Sequence, residues 1–153
     1  MCRPKLAIAT LLLALVALLG CAHGGLTTEQ LVLRDAQVSM KFAADTIETL
    51  QTTAVILYRV EQMTQVQIAS DAHESREQVV TRVAVVRQRW VDVWQAFDEA
   101  RSIYETTAAL LAMSPQPTPA AIQSAVDKQS VALAKVQSLL SIARQRNSQG
   151  VAQ

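Results

Sequence analysis

From Leu26 to Ser114 the apolar positions recur at alternating intervals of three and four residues, and neither glycine nor proline interrupts them. Leu33, Ala36, Met40, Ala43, Ile47, Leu50, Ala54 and Leu57 form one such stripe, the spacing of a helix with a single buried face. Val79, Val83, Val86, Trp90, Val93, Phe97, Ala100 and Tyr104 form a second, and Leu111 resumes its phase after Thr107. A weaker third stripe of Ile122, Ala125, Leu133, Val136, Leu140 and Ala143 is interrupted by Gln129. Strands need frequent turns, and turns need Gly, Pro, Asn or Asp. Glycine occurs only at 20, 24, 25 and 150, and the single asparagine is Asn147. The chain is therefore predicted to be all-α.

The helix limits follow from caps and breakers. Thr27 or Thr28 caps the first helix, with Glu29 and Gln30 in its first turn. Asp71-Ala72-His73-Glu74 fits a capping box with Asp71 at the cap and Glu74 three residues on, and marks the turn between the first two helices. Nothing in that segment forbids helix, so one bent helix over about 28–113 is the alternative. Ser114-Pro115-Gln116-Pro117-Thr118-Pro119 ends the second helix, because three alternating prolines cannot continue one. Thr118 then caps the third, with Pro119 at its favoured first position. The expected helices span about 28–70, 72–113 and 119–147 within a domain of residues 28–147, followed by a disordered tail over 148–153. The first two have matched lengths of about 63 Å. They predict an antiparallel hairpin with the third helix laid back along it: an elongated, coiled-coil-like three-helix bundle.

The N-terminus has a different pattern. Arg3 and Lys5 precede an apolar run from Leu6 to Leu19 whose only polar member is Thr10. At 14 residues the run is short for a membrane span and suits the apolar region of a signal peptide. It ends in Leu18-Leu19-Gly20-Cys21, an aliphatic residue, a small residue and then cysteine. This arrangement resembles the lipobox of bacterial lipoproteins. The resemblance covers residues 1–21 and says nothing of the rest. It implies cleavage of residues 1–20, diacylation of the Cys21 sulfur and acylation of the new N-terminus, with 21–27 as a short tether. Two or three acyl chains anchor stably where one does not. Ala22, in place of the aspartate that favours inner-membrane retention in enteric lipoproteins, points to the outer membrane. Cys2 lies in the segment to be removed, so the expected mature chain has no thiol but the lipidated one and forms no intrachain disulfide.

Composition narrows the chemistry. The 153 residues carry 14 Lys and Arg against 13 Asp and Glu. Without Arg3 and Lys5 the balance is slightly acidic, which gives no reason to expect nucleic acid as a partner. Di-iron bundles use Glu-x-x-His pairs, but Ser70 stands three residues before His73 and Gly20 before His23. No metal or cofactor is expected. There is no G-x-S-x-G nucleophile motif and no glycine-rich phosphate loop. Asp98 and Glu99 face different ways on a helix, while Asp45 and Glu48 share a plain face rather than a cleft. An enzyme is not expected.

The most distinctive feature of the body is an aromatic ladder: Trp90, Trp94, Phe97 and Tyr104 hold four of the chain's six aromatics on one side of the second helix. One reading places these rings in the core. The other makes Trp94 and Trp90 a partner-binding surface, since tryptophan and tyrosine dominate binding hot spots. Trp94 is the ring expected to face outward, and Arg87 and Arg101 are placed to lie over a ring. Arg76, Arg82, Arg87 and Arg89 make the second helix locally basic. They read either as a salt-bridged solvent face or as a contact for anionic headgroups or a cell-wall polymer. Glu61 and Thr64 fall on the first stripe, where it leaves the core or forms a polar layer that sets register. The expectation is a helical lipoprotein with a binding or structural role, its partner an envelope protein. One rival is a self-associating coiled-coil or spanin-like envelope protein. Another is a carrier holding an apolar ligand inside the bundle.

Overall fold

The structure, a computed structural model, describes residues 27–150. The expected signal segment, Cys21 and the expected tether up to residue 26 lie outside the described residues, as do 151–153. The described residues form four helices and no strand: α1 (Thr28–Asp71), α2 (Arg76–Arg89), α3 (Val91–Leu111) and α4 (Pro119–Gly150).

The 44 residues of α1 make a helix about 66 Å long. Its start is a reciprocal capping box: the Gln30 amide donates to Thr27 Oγ1 at 3.3 Å and the Thr27 amide to Gln30 Oε1 at 3.0 Å. Its end is a Schellman motif, in which the Glu74 amide donates to the Ala69 carbonyl and the His73 amide to that of Ser70. His73 takes the left-handed conformation this motif requires, at φ 55°, where glycine is the usual residue.

The reversal between helices falls where the sequence predicts it, and the single bent helix over 28–113 is excluded. The capping box is elsewhere, however. Asp71 is the last residue of α1 and accepts from Gln67 Nε2 at 2.8 Å, while the cap of α2 is Ser75, paired reciprocally with Gln78. Glu74 binds Arg82 instead.

Two further limits differ from expectation. The predicted helix over 72–113 is two helices, broken for one residue at Trp90, whose amide donates three residues back to Arg87 at 3.1 Å. The last helix runs through Gly150 rather than stopping at 147. Its start is as predicted, with Thr118 Oγ1 accepting from the Ala121 amide at 3.3 Å and Pro119 first in the helix.

Side-chain bonds between elements fix the topology. Gln51 meets Arg101, Glu61 meets Trp90, and Gln65 meets Arg82, so numbers rise along α1 as they fall along its neighbours. The α2–α3 arm is therefore antiparallel to α1. α4 packs along both α1 and α3, and the helices form a bundle. Asn147 near its end reaches the Leu57 carbonyl at 3.0 Å, so α4 stops short of the 72–75 turn and the last part of the hairpin is two helices thick.

The core is built largely from members of the three predicted stripes, with Ala69, Ala96 and Ala132 added from outside them. Met40, Ile47, Trp90, Val93, Phe97, Ile122, Val136 and Leu140 are buried. Ala54, Ala100 and Ala143 are fully buried, and with only a methyl group each they let the helices approach closely. Tight packing of this kind is what gives native interiors their density.

Candidate functional site

The aromatic ladder closes around a residue the sequence did not single out. Tyr58 of α1 sits edge-on to Trp90 at 5.5 Å between centroids and to Trp94 at 5.9 Å. Trp94 in turn lies 5.7 Å from Trp90 and 6.1 Å from Phe97. Edge-on pairs at these separations suit the ring quadrupoles. Tyr58 follows Leu57 on the stripe of α1 and lies one turn from Ala54 and Glu61, the only signal that could have found it. Its hydroxyl stays polar by accepting from Gln62 Nε2 at 2.8 Å.

Beside this cluster is a buried carboxylate. Glu61 is 6% exposed. It accepts from the Trp90 indole Nε1 at 2.7 Å and from the Arg89 guanidinium at 3.4 Å. A buried charge is tolerated when paired and hydrogen-bonded, and both conditions hold here. Thr64, Gln65, Arg146 and Asn147 surround the same point and enclose about 260 Å³ together with Glu61 and Arg89. The polar layer therefore joins α1, the α2–α3 break and the end of α4. Its carboxylate is engaged by two donors from the α2–α3 break and ties that break to α1.

The remaining sequence candidates separate. Trp90 is fully buried and is a core residue, which removes it from any docking surface. Trp94 is half-buried against its ring neighbours. Arg101 is exposed on α3 and donates to Gln51 Oε1 at 3.0 Å, and Arg87 is exposed on α2. Trp90, Trp94, Arg87 and Arg101 thus do not form one exposed patch. Of the basic run, Arg82 is held by Glu74 and Arg89 by Glu61. The Arg82 guanidinium, hydrogen-bonded to Glu74, holds that carboxyl below its ordinary range; partial desolvation opposes the shift.

Two grooves of about 650 and 700 Å³ run between α3 and α4. Ile103, Ser124 and Lys128 line both, and Lys135 pairs with Glu99 across the first at 2.6 Å. Both open to solvent. Among the described residues no three His, Cys, Asp or Glu side chains are grouped as a metal site, and no helix is long and apolar enough to cross a membrane.

Fold and site together define an all-α helical protein built on an aromatic and polar layer. No protein family, no curated protein and no solved structure matches this chain.

Proposed function

We propose that this chain is a lipid-anchored envelope protein whose elongated, coiled-coil-like three-helix bundle has a binding or structural role. The observation that carries the reading is Leu18-Leu19-Gly20-Cys21 in register with the charged start and the 14-residue apolar run. Acyl chains on Cys21 hold the protein at a membrane, and Ala22 favours the outer one. The bundle then stands close to that surface on the short tether from Cys21 to residue 27, on its periplasmic face.

A non-enzymatic role agrees with how the polar residues are used. Glu61, Arg89, Glu74 and Arg82 bind one another or the core. The open grooves between α3 and α4 favour surface contact over carriage of an apolar molecule within the bundle. Metabolic labelling with a clickable fatty acid tests the anchor: the wild-type chain takes up label and fractionates with outer membranes, and Cys21→Ser abolishes uptake. Undiminished labelling of Cys21→Ser would end the lipoprotein reading.

A further inference from the structure

The outer face of α1 has an apolar pattern that the core does not use. Val38, Phe42, Ile56, Met63 and Val66 are all exposed, Phe42 at 70% and Met63 at 72%. Asp45, Thr49, Thr52 and Arg59 are exposed too and occupy the intervening positions. From Val38 to Val66 the nine fall at strictly alternating intervals of four and three. That is a heptad seam of about 42 Å, on the side of α1 turned away from Ala43, Ile47 and Ala54.

The seam is also self-complementary when reversed about Thr52. Val38 then meets Val66 of a second copy and Asp45 meets Arg59, while Phe42 falls one residue, about 1.5 Å, from Met63 and Thr49 the same distance from Ile56. A two-fold contact demands this reciprocity, residue i on j and j on i. Methionine sulfur against a phenylalanine ring and carboxylate against guanidinium are both favourable pairings. A parallel pair would instead set Asp45 on Asp45 and Arg59 on Arg59, with like charges opposed. Among the described residues, neither Asp45 nor Arg59 has an ion-pair partner.

We infer that α1 pairs antiparallel with α1 of a second copy of this chain through the seam from Val38 to Val66. The polar layers at Asp45, Thr52 and Arg59 set the register of that pair, at some cost in strength. The two α1 N-termini then point in opposite directions, so an anchored dimer lies along its membrane. The inference rests on the binding or structural reading of the bundle but not on the lipid anchor.

The test uses the full chain in the intact cells that produce it, with Thr52 replaced by the photoreactive p-benzoylphenylalanine. Irradiation is expected to give a covalent dimer whose crosslink maps to α1 of the second copy, between Thr49 and Ile56. Asp45→Arg and Arg59→Asp should each reduce the dimer at least tenfold, and the two together should restore it. These positions are exposed, and circular dichroism melts of each variant report folding separately. Crosslinking to a different protein, crosslinking to lipid, no crosslink, or failure of the double exchange to restore the dimer each overturns self-pairing. Fatty-acid labelling of the same samples reports the anchor independently.

Discussion

The Trp90 indole donates to the Glu61 carboxylate at 2.7 Å, with the carboxylate 6% exposed and the ring fully buried. The bond spans α1 and the one-residue break between α2 and α3, so each partner satisfies a buried group that the other would otherwise strand. Glu61→Leu leaves the indole N–H unpaired and is expected to destabilise the bundle by about 1–3 kcal/mol. Trp90→Phe leaves a buried charge with only Arg89 at 3.4 Å, removes ring packing as well, and should cost more, about 3–5 kcal/mol. The double variant should lose clearly less than the two single losses combined, because the second change strands nothing further. Thermal unfolding of the four proteins measures the coupling. Strict additivity would show that the bond contributes nothing of its own.

His73 occupies the left-handed position of the Schellman motif at φ 55°. That conformation costs a residue with a β-carbon roughly 1 kcal/mol, a cost that glycine avoids. The imidazole is exposed, so its removal sacrifices no packing. His73→Gly is therefore expected to raise the unfolding midpoint slightly, and His73→Val to lower it. A lower midpoint for His73→Gly would indicate that the greater freedom of glycine in the unfolded chain outweighs the relieved strain.

The stripes that encode the helices were legible because burial repeats every three or four residues whatever the partner is. Met40, Ile47, Val93, Phe97, Val136 and Leu140 lie in the core as their spacing implies. The break at Trp90 was not legible, for an equally local reason. No glycine, proline or asparagine stands near it, and the phase of the stripe runs from Val86 through Trp90 to Val93 without a slip. What distinguishes Trp90 is Glu61, almost thirty residues earlier in the chain. Glu61 itself was visible only as a charge on an apolar stripe, and its donor could not be named before the helices were laid together. The cap shift from Asp71 to Ser75 has a similar origin. Both segments carry a suitable cap residue followed by an acid or amide, and the Schellman turn at His73 selects between them. The outer seam on α1 was present in the sequence as well. It stood out only once the core had claimed the opposite face.

Glu74 gives the hairpin turn a pH dependence whose direction follows from its pairing. The Arg82 guanidinium lowers the Glu74 pKa from its ordinary 4.5, so the unfolded chain takes up this proton at a higher pH than the folded one. Its contribution is complete above about pH 4.5 and is lost as the pH falls through the lowered folded value. Arg82, raised still further from its already high value, does not titrate in this range. The melting temperatures of wild type and Glu74→Gln should therefore differ at pH 7 and converge as the pH falls below the ordinary carboxyl range and through the lowered folded value. The gap at pH 7 is expected to be small, because Arg82 remains partly open to water and solvent screens the pair. A gap that widens on acidification would contradict the assignment.

Gln129 interrupts the stripe of α4 at a fully enclosed position, 3% exposed. Its Nε2 donates weakly to the Ala100 carbonyl at 3.4 Å, and its Oε1 is buried without a hydrogen-bond partner. A buried acceptor left unpaired costs about 1–3 kcal/mol, more than one long hydrogen bond returns. The Ala100 carbonyl lies inside α3 and keeps its helical amide, so removing the glutamine strands nothing. Gln129→Leu has nearly the same reach and completes the stripe between Ala125 and Leu133. It is expected to stabilise the bundle by about 1 kcal/mol, a rise of roughly 3–5 °C in Tm for a domain of this size. Gln129→Ala removes the same polar atoms but leaves a void, and should gain little or lose stability. Comparing the two variants separates the polar cost from packing. If leucine lowers the Tm while alanine does not, the site is too tight for a branched side chain, and the glutamine is there because its unbranched stem fits between α3 and α4.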